Sequence, residues 1–505
     1  MDDQADVIAF LSDPATHGGA SVEVIETHIS RIFLAGDRAW KMKRAVRLPY
    51  ADFSTPALRL AACDAELTLN RRTAPALYLR VRRLTRDAEG IAFDGTGELV
   101  DAVVEMARFD QDCLFDRMAA TGRLTPALIE ALARNIADFH ASAPVLHLGG
   151  ADNMAWVLGI NEAGFAGSRV FSATEQAGLN TAFRAALDRH APALDRRADA
   201  GMVRRCHGDL HLRNICLIDG RPLLFDCIEF NEQLAGIDVA YDLAFLLMDL
   251  WHRGLAGLAN LAANRWCDAT GDEDGFALLP FFMAVRAAVR AHVIATQAET
   301  AGASRDRLAA EARGYFDLAQ ALLAQAPARL VALGGLSGSG KTTVAEALAP
   351  HLSPPPGARL LESDRLRKAM HGVAAETRLP AAAYAPEVSA RVYAQMTGRS
   401  TAMLAQGAPV VANAVHDREP DRTAIEQAAR AAGAAFLGVW LDADPALLRQ
   451  RVAARRGGAS DATLAVLESQ LQRTAEITGW HRIDAGQPTA RIVQQILALP
   501  QDEGR

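Results

Sequence analysis

Lysine is almost missing from this chain. Of its 53 basic side chains only four are lysine, Lys41, Lys43, Lys341 and Lys368, and arginine carries the rest. A lysine kept in so arginine-biased a composition is a candidate for work that needs a compact, rotatable ammonium, such as gripping a phosphate. Cysteine is also sparse. The six (Cys63, Cys113, Cys206, Cys216, Cys227 and Cys267) form no CxxC pair and no Cys/His alternation, which argues against a disulfide framework or a zinc site. Long apolar runs are lacking too. The most apolar stretch, Val239 to Trp251, is interrupted by Asp242 and Asp249, and the N-terminus is acidic where a secretory signal would be basic. These absences predict a cytoplasmic protein with no membrane partner.

No strong charge imbalance is present. Residues 1–326 carry 33 basic and 43 acidic groups and residues 327–505 carry 20 and 17, so neither part has the basic excess of a general nucleic-acid binder. With 505 residues, half of them apolar and 22% charged, the chain has length for several ordinary globular units. The clearest boundary lies near Pro327, where an alanine-rich helix predicted over Arg305 to Leu323 stops and a short strand, Leu330 to Leu333, begins. Domains are therefore expected at 1–326 and 327–505.

In the first domain, strand-like segments over Ile32–Leu34 and Ala39–Lys43 precede a helix over Thr55–Arg72 and a strand over Ala102–Met106, and helical patterning dominates from Leu114 onward. That predicts a small strand-rich lobe (about 20–108) and a helical lobe (about 109–326). The segment His207-Gly-Asp209-Leu-His211-Leu-Arg-Asn214 sets an aspartate five positions before an asparagine, and the apolar run Leu223-Leu-Phe ends at Asp226. Phosphoryl transfer uses such a set: one carboxylate to orient the acceptor hydroxyl, and an amide with a second carboxylate to hold Mg2+.

Through these residues the chain resembles the aminoglycoside phosphotransferase-like small-molecule kinases, an α+β bilobal fold. The resemblance implies Asp209 as catalytic base, Asn214 and Asp226 as metal ligands, Lys41 with Glu66 as the phosphate clamp, and Glu105-Met-Ala107 as the adenine hinge. Asp238 and Asp242 would brace the catalytic loop. No GxGxxG run precedes Lys41; Ser30 to Gly36 stands there instead. His140 and His211 are read as structural hydrogen-bonders, and Glu229 as either an acceptor-facing group or a cap.

In the second domain, Gly335-Leu-Ser337-Gly338-Ser339-Gly340-Lys341-Thr342-Thr343 follows a strand and opens a helix, the context a P-loop requires. Its backbone N–H groups cradle phosphates, Lys341 reaches the terminal phosphates, and the Thr342 hydroxyl takes Mg2+. Downstream, Glu362-Ser-Asp364-Arg-Leu-Arg367-Lys368 resembles P-loop kinases of the zeta-toxin, gluconate-kinase and polynucleotide-kinase type, an α/β fold with a parallel sheet. That implies Asp364 as the group activating the acceptor and Arg367 as its holder; a helix cap is the plainer reading of Asp364. Where a Walker-B strand carries an acid, this chain has Asn413, which weakens metal support there. Arg451 and Arg455, ahead of Gly457-Gly458, suit a lid over the transferring phosphate.

The sequence therefore predicts two ATP- and Mg2+-using kinase-type domains acting on a small-molecule hydroxyl. The alternatives are one domain serving as a non-catalytic nucleotide-binding regulator, or the P-loop part acting on nucleotide or polynucleotide ends.

Overall fold

The structure, a computed structural model, describes residues 4–27, 29–48, 51–300, 302–473 and 477–500. The chain forms two compact units. One contains the chain up to Asp249 with Ala295–Arg305, the other Leu250–Ile294 with everything from Asp306 onward.

The first unit opens with a six-stranded antiparallel sheet in the order Val22–Glu26, Ser30–Ala35, Arg38–Lys43, Glu98–Ala107, Tyr78–Asp87, Gly90–Phe93. Side chains alternate across it. Ala102 and Val104 pack with Cys63 of the helix Pro56–Asn70, whereas Val103 and Met42 pack on the other face with Val7 and Leu11 of the helix Ala5–Ser12. The helix Pro56–Asn70 starts where Thr55 caps the Leu58 N–H and Pro56 presets the first turn. This places Glu66 beneath the strand that bears Lys41.

The helical part follows. Its hairpin Ile215–Ile218/Arg221–Leu224 turns through Asp219-Gly220, both at positive φ as a two-residue hairpin loop demands. The hairpin returns the chain so that the Phe225 N–H bonds the Asn214 carbonyl at 3.0 Å, delivering Asp226 beside the loop that carries Asp209.

The second unit is built on a fully parallel sheet in the order Arg359–Glu362, Val410–Asn413, Arg329–Gly334, Ala435–Asp442, His481–Asp484. Its three central strands, Val410–Asn413, Arg329–Gly334 and Ala435–Asp442, are near-continuous apolar runs, as strands covered on both faces require. Val331, Leu333 and Val439 pack against Val344 and Leu348 of the helix Lys341–Leu348 and Ile492 and Ile496 of the helix Thr489–Ala498. The expected helix Arg305–Leu323 is present with those bounds.

The expectation that no stretch approaches a membrane span needs correction. The helix Glu273–Glu299 is long and apolar enough to cross a bilayer, with mean hydropathy 1.5, but 72% of its most apolar window is buried inside the protein. It is a core helix, and Asp242 and Asp249 belong to a different one, Val239–His252.

Candidate functional sites

In the first unit, Lys41 and Lys43 lie two residues apart on one strand and so share a face. Glu66, fully buried, lies between them: Oε1 is 2.7 Å from Lys41 Nζ and Oε2 is 2.6 Å from Lys43 Nζ. Lys41 also bonds Asp226, and Lys43 bonds Glu229. The result is a chain of alternating charges, Asp226–Lys41–Glu66–Lys43–Glu229. Burial alone would lower the pKa of Lys41, but the carboxylates of Asp226 and Glu66 outweigh it and hold it well above the ordinary lysine range. Burial likewise opposes and Lys41 and Lys43 dominate at Glu66, whose carboxyl falls to about 2. Asp226 sits at φ +64, uncommon for a non-glycine residue, with the Tyr78 hydroxyl accepting its N–H at 3.1 Å.

Asp209, its side chain 39% exposed, accepts from Asn214 Nδ2 at 2.9 Å. Because that amide spends its N–H on Asp209, its oxygen is the atom left for a cation. The loop ahead of Asp209 is held by Asp242, which accepts the N–H groups of His207 (3.1 Å) and Gly208 (2.9 Å) and bonds His140 Nε2 at 3.1 Å. Asp249, two helical turns on, accepts the Leu212 N–H at 3.1 Å. The carboxylates that break the apolar run are thus the two that hold the loop bearing Asp209. Asp238, expected to share that work, instead forms a buried bidentate pair with Arg197 (2.7 and 2.9 Å). Glu105 of the expected hinge is paired with Arg80 at 2.8 Å.

In the second unit, Gly335, Gly338 and Gly340 take φ of +142°, +88° and +86°. A Cβ on Gly338 would lie 2.7 Å from the Leu448 carbonyl, so the loop needs glycine there. Lys341 Nζ folds back onto the carbonyls of Gly335 (2.8 Å) and Leu336 (3.1 Å). Burial lowers its pKa to about 8, with Asp364 opposing and Arg455 adding to the fall. Ser339 Oγ is buried with no hydrogen-bond partner among the described residues, and Ser337 N–H is capped by Gln470 at 2.9 Å.

Register explains what stands at the Walker-B position. Glu362 and Asn413 are direct partners on neighbouring parallel strands. Glu362 Oε2 lies 3.1 Å from Thr342 Oγ1, and Asn413 Nδ2 lies 3.1 Å from that hydroxyl and 3.4 Å from the carboxylate. An acid thus stands beside Asn413, on the adjacent strand. Asp364 occupies the first turn of the helix Ser363–Met370; burial pushes its carboxyl up against a Ser460 hydrogen bond and Lys341. Arg367, buried, donates to the Ala383 carbonyl at 2.8 Å and stacks 4.7 Å over Tyr384. Arg451 donates to the Ala485 carbonyl at 3.0 Å. Lys368 is buried and bonds Asp461 at 2.6 Å.

Sequence reading passed over Glu362, and it did not join Lys43 and Glu229 to Glu66. The usable signals were an acid at a strand C-terminus two residues before Asp364, and two scarce lysines at i, i+2.

Comparison with known proteins matches a family to a stretch of each part of the chain. Residues 58–279 match the family described as "Phosphotransferase enzyme family", and residues 330–477 match one described as "AAA domain". Over 484 residues, 94% of each chain, the sequence is 28% identical to uncharacterized proteins of Mycobacterium tuberculosis and Mycobacterium bovis. Similar solved structures include a choline/ethanolamine kinase family protein from Mesorhizobium loti (15% identical, 63% of this chain, 97% of that one, TM-score 0.37). Another is a gluconokinase from Sinorhizobium meliloti (26% identical, 35% and 92%, TM-score 0.25). The chain is a two-domain, kinase-like protein: a phosphotransferase-type domain followed by a P-loop kinase-like domain with a five-stranded parallel sheet.

Proposed function

We propose that the chain is an ATP-dependent phosphotransferase that moves the γ-phosphate to a hydroxyl of a small molecule, with a second ATP site of the P-loop kinase type. One observation carries this reading: Lys41, clamped by Glu66, meets Asp226 in the unit where a half-exposed Asp209 is fixed by Asn214. In the first site Asp209 orients and accepts the proton of the acceptor hydroxyl, Lys41 holds the nucleotide phosphates, and Asn214 and Asp226 are the residues that would hold Mg2+. In the second, the N–H groups of Gly338, Gly340 and Lys341 cradle the phosphates, Arg451 and Arg455 close from the lid, and Asp364 with Arg367 receives the acceptor. Thr342 with Glu362 and Asn413 forms the metal side. Magnesium in either place neutralises charge on the phosphates.

The convergence of Thr342 and Glu362 and the orphaned Ser339 hydroxyl support a metal–phosphate ligand in the P-loop unit. We assign the acceptor to small molecules rather than nucleic acid on charge balance, and the protein to the cytoplasm.

The test is a screen of sugars, aminoglycosides, nucleosides and oligonucleotides with labelled ATP. Asp209→Asn is expected to lower transfer to the accepted compound by about 10²–10⁴-fold, the usual share of a general base. Transfer unchanged in that variant, with Lys341→Ala abolishing it, would move the reaction to the P-loop unit.

A further inference from the structure

The strand Arg359–Glu362 is the edge of the parallel sheet, so one side of its backbone has no neighbouring strand among the described residues. Side chains of the helix Ala256–Thr270, in the same compact unit, take that place. Asn264 accepts the Leu360 N–H at 2.7 Å and donates to the Ala358 carbonyl at 3.1 Å. Asn260, one turn earlier, donates to the carbonyls of Pro356 and Ala358, each at 3.0 Å. A carboxamide carries the donor and acceptor of a peptide group, so the two asparagines complete the edge as a further strand would.

The same helix supplies charge. Asp268 bonds the buried Arg359 at 2.6 Å. Arg265, its side chain only 4% exposed, lies 2.6 Å from Glu346 Oε1 and 3.9 Å from Glu362 Oε1. Arg365 Nε bonds that same Glu362 oxygen at 3.1 Å, which leaves Oε2 turned to the Thr342 hydroxyl. One carboxylate oxygen accepts from Arg365, with the buried Arg265 guanidinium 3.9 Å away as a second, longer-range charge, and the other faces the loop that begins the nucleotide site.

We infer that the helix Ala256–Thr270 is a working part of the P-loop site and that Arg265 is a positioning residue, aiming Glu362 at the metal side of the bound nucleotide. The inference rests on the reading of Thr342 and Glu362 as that metal side. The helix lies inside residues 58–279, the stretch matched to the phosphotransferase family, not within the P-loop match at 330–477. The P-loop site is therefore not self-sufficient within its own stretch of sequence. Partners that orient a metal-facing carboxylate matter nearly as much as the carboxylate, because a carboxylate free to rotate loses its preset aim.

The experiment uses the full chain carrying Lys41→Ala, so that calorimetry with ADP reads the P-loop site, with Lys41→Ala/Lys341→Ala as the blank. ADP affinity is measured with and without MgCl2. Adding Arg265→Met is expected to erase most of the Mg2+-dependent gain, by about 10–100-fold as for lost outer-shell partners, while the Mg2+-free affinity changes by less than about twofold, and Arg265→Lys recovers part of the gain. A merely structural role would lower both affinities and the melting temperature together, and that outcome overturns the inference. Should Arg265→Met not fold, Arg265→Gln, which also removes the guanidinium near Glu362, is read in the same way; an unchanged Mg2+ gain there overturns the inference. No ADP uptake by the Lys41→Ala chain at all would sink the second nucleotide site and the inference with it.

Discussion

Lys43→Met isolates what the alternating charge chain contributes to the first unit. Lys43 is fully buried, 2.6 Å from Glu66 and bonded to Glu229, and burial is overcome by Glu66 and Glu229 so that its pKa stands above the ordinary lysine value. Methionine fills similar volume but leaves two buried carboxylates facing each other. Removing one partner of a buried ion pair costs about 3–5 kcal/mol. At roughly 2–4 °C per kcal/mol for a unit of this size, the transition of the first unit should fall by about 6–20 °C at pH 7. The sign of the pH effect follows from the same geometry. With the cation gone, one of the two acids takes a folded-state pKa above its unfolded value near 4.3, so the folded variant binds the extra proton and gains stability as pH falls. The gap between variant and wild type should therefore narrow from pH 7 to pH 5. Lys43→Met/Glu229→Gln, which removes one charge of each sign, should recover much of the loss. Differential scanning calorimetry at the two pH values is the assay. A Lys43→Met transition within 2 °C of wild type (about 1 kcal/mol or less) at both would refute the reasoning.

His416 is fully buried, and burial, with Lys341 adding to it, takes its pKa to about 3. The unfolded histidine protonates below about 6.5 and the folded one does not, so stability is lost as pH falls; between 6.5 and 5 this single group contributes about 2 kcal/mol of loss. His416→Asn, which tolerates the φ of +53 at this position, should flatten urea-unfolding free energies over that range relative to wild type, and parallel slopes would rule the histidine out. Gly338→Ala should lower nucleotide affinity and stability more than Gly340→Ala. Both sit at positive φ, but only at 338 does the new methyl meet a carbonyl, at 2.7 Å against a nearest neighbour at 3.9 Å; equal effects in thermal melts with ADP would contradict this.

Much of the architecture was legible because it rests on local patterns. Glycine spacing before Lys341, the apolar run before it and the helix Arg305–Leu323 are written within a few residues of one another, and so is the Asp209/Asn214 loop. What was not legible depends on register and return of the chain. Asn413 read as a weakened metal site because only the pairing of two parallel strands reveals Glu362 opposite it. Lys43 and Glu229 lie 186 positions apart, and no short-range signal joins them. Asp249 looked like a mere interruption of an apolar run, yet with Asp242 it lies on the helix face that meets the loop bearing Asp209. Asp238 failed the other way: it sits close to Asp242 in sequence, but the strand Gly236–Asp238 directs it to Arg197 instead.

The most direct test of the account is the stoichiometry of Mg2+-dependent ADP binding to the intact chain, measured by calorimetry in wild type, Lys41→Ala, Lys341→Ala and the double variant. Two sites in wild type, one fewer when either lysine is lost and none in the double variant is the expected result. Wild type that takes up one nucleotide, or a double variant that still binds with unchanged affinity, would contradict it.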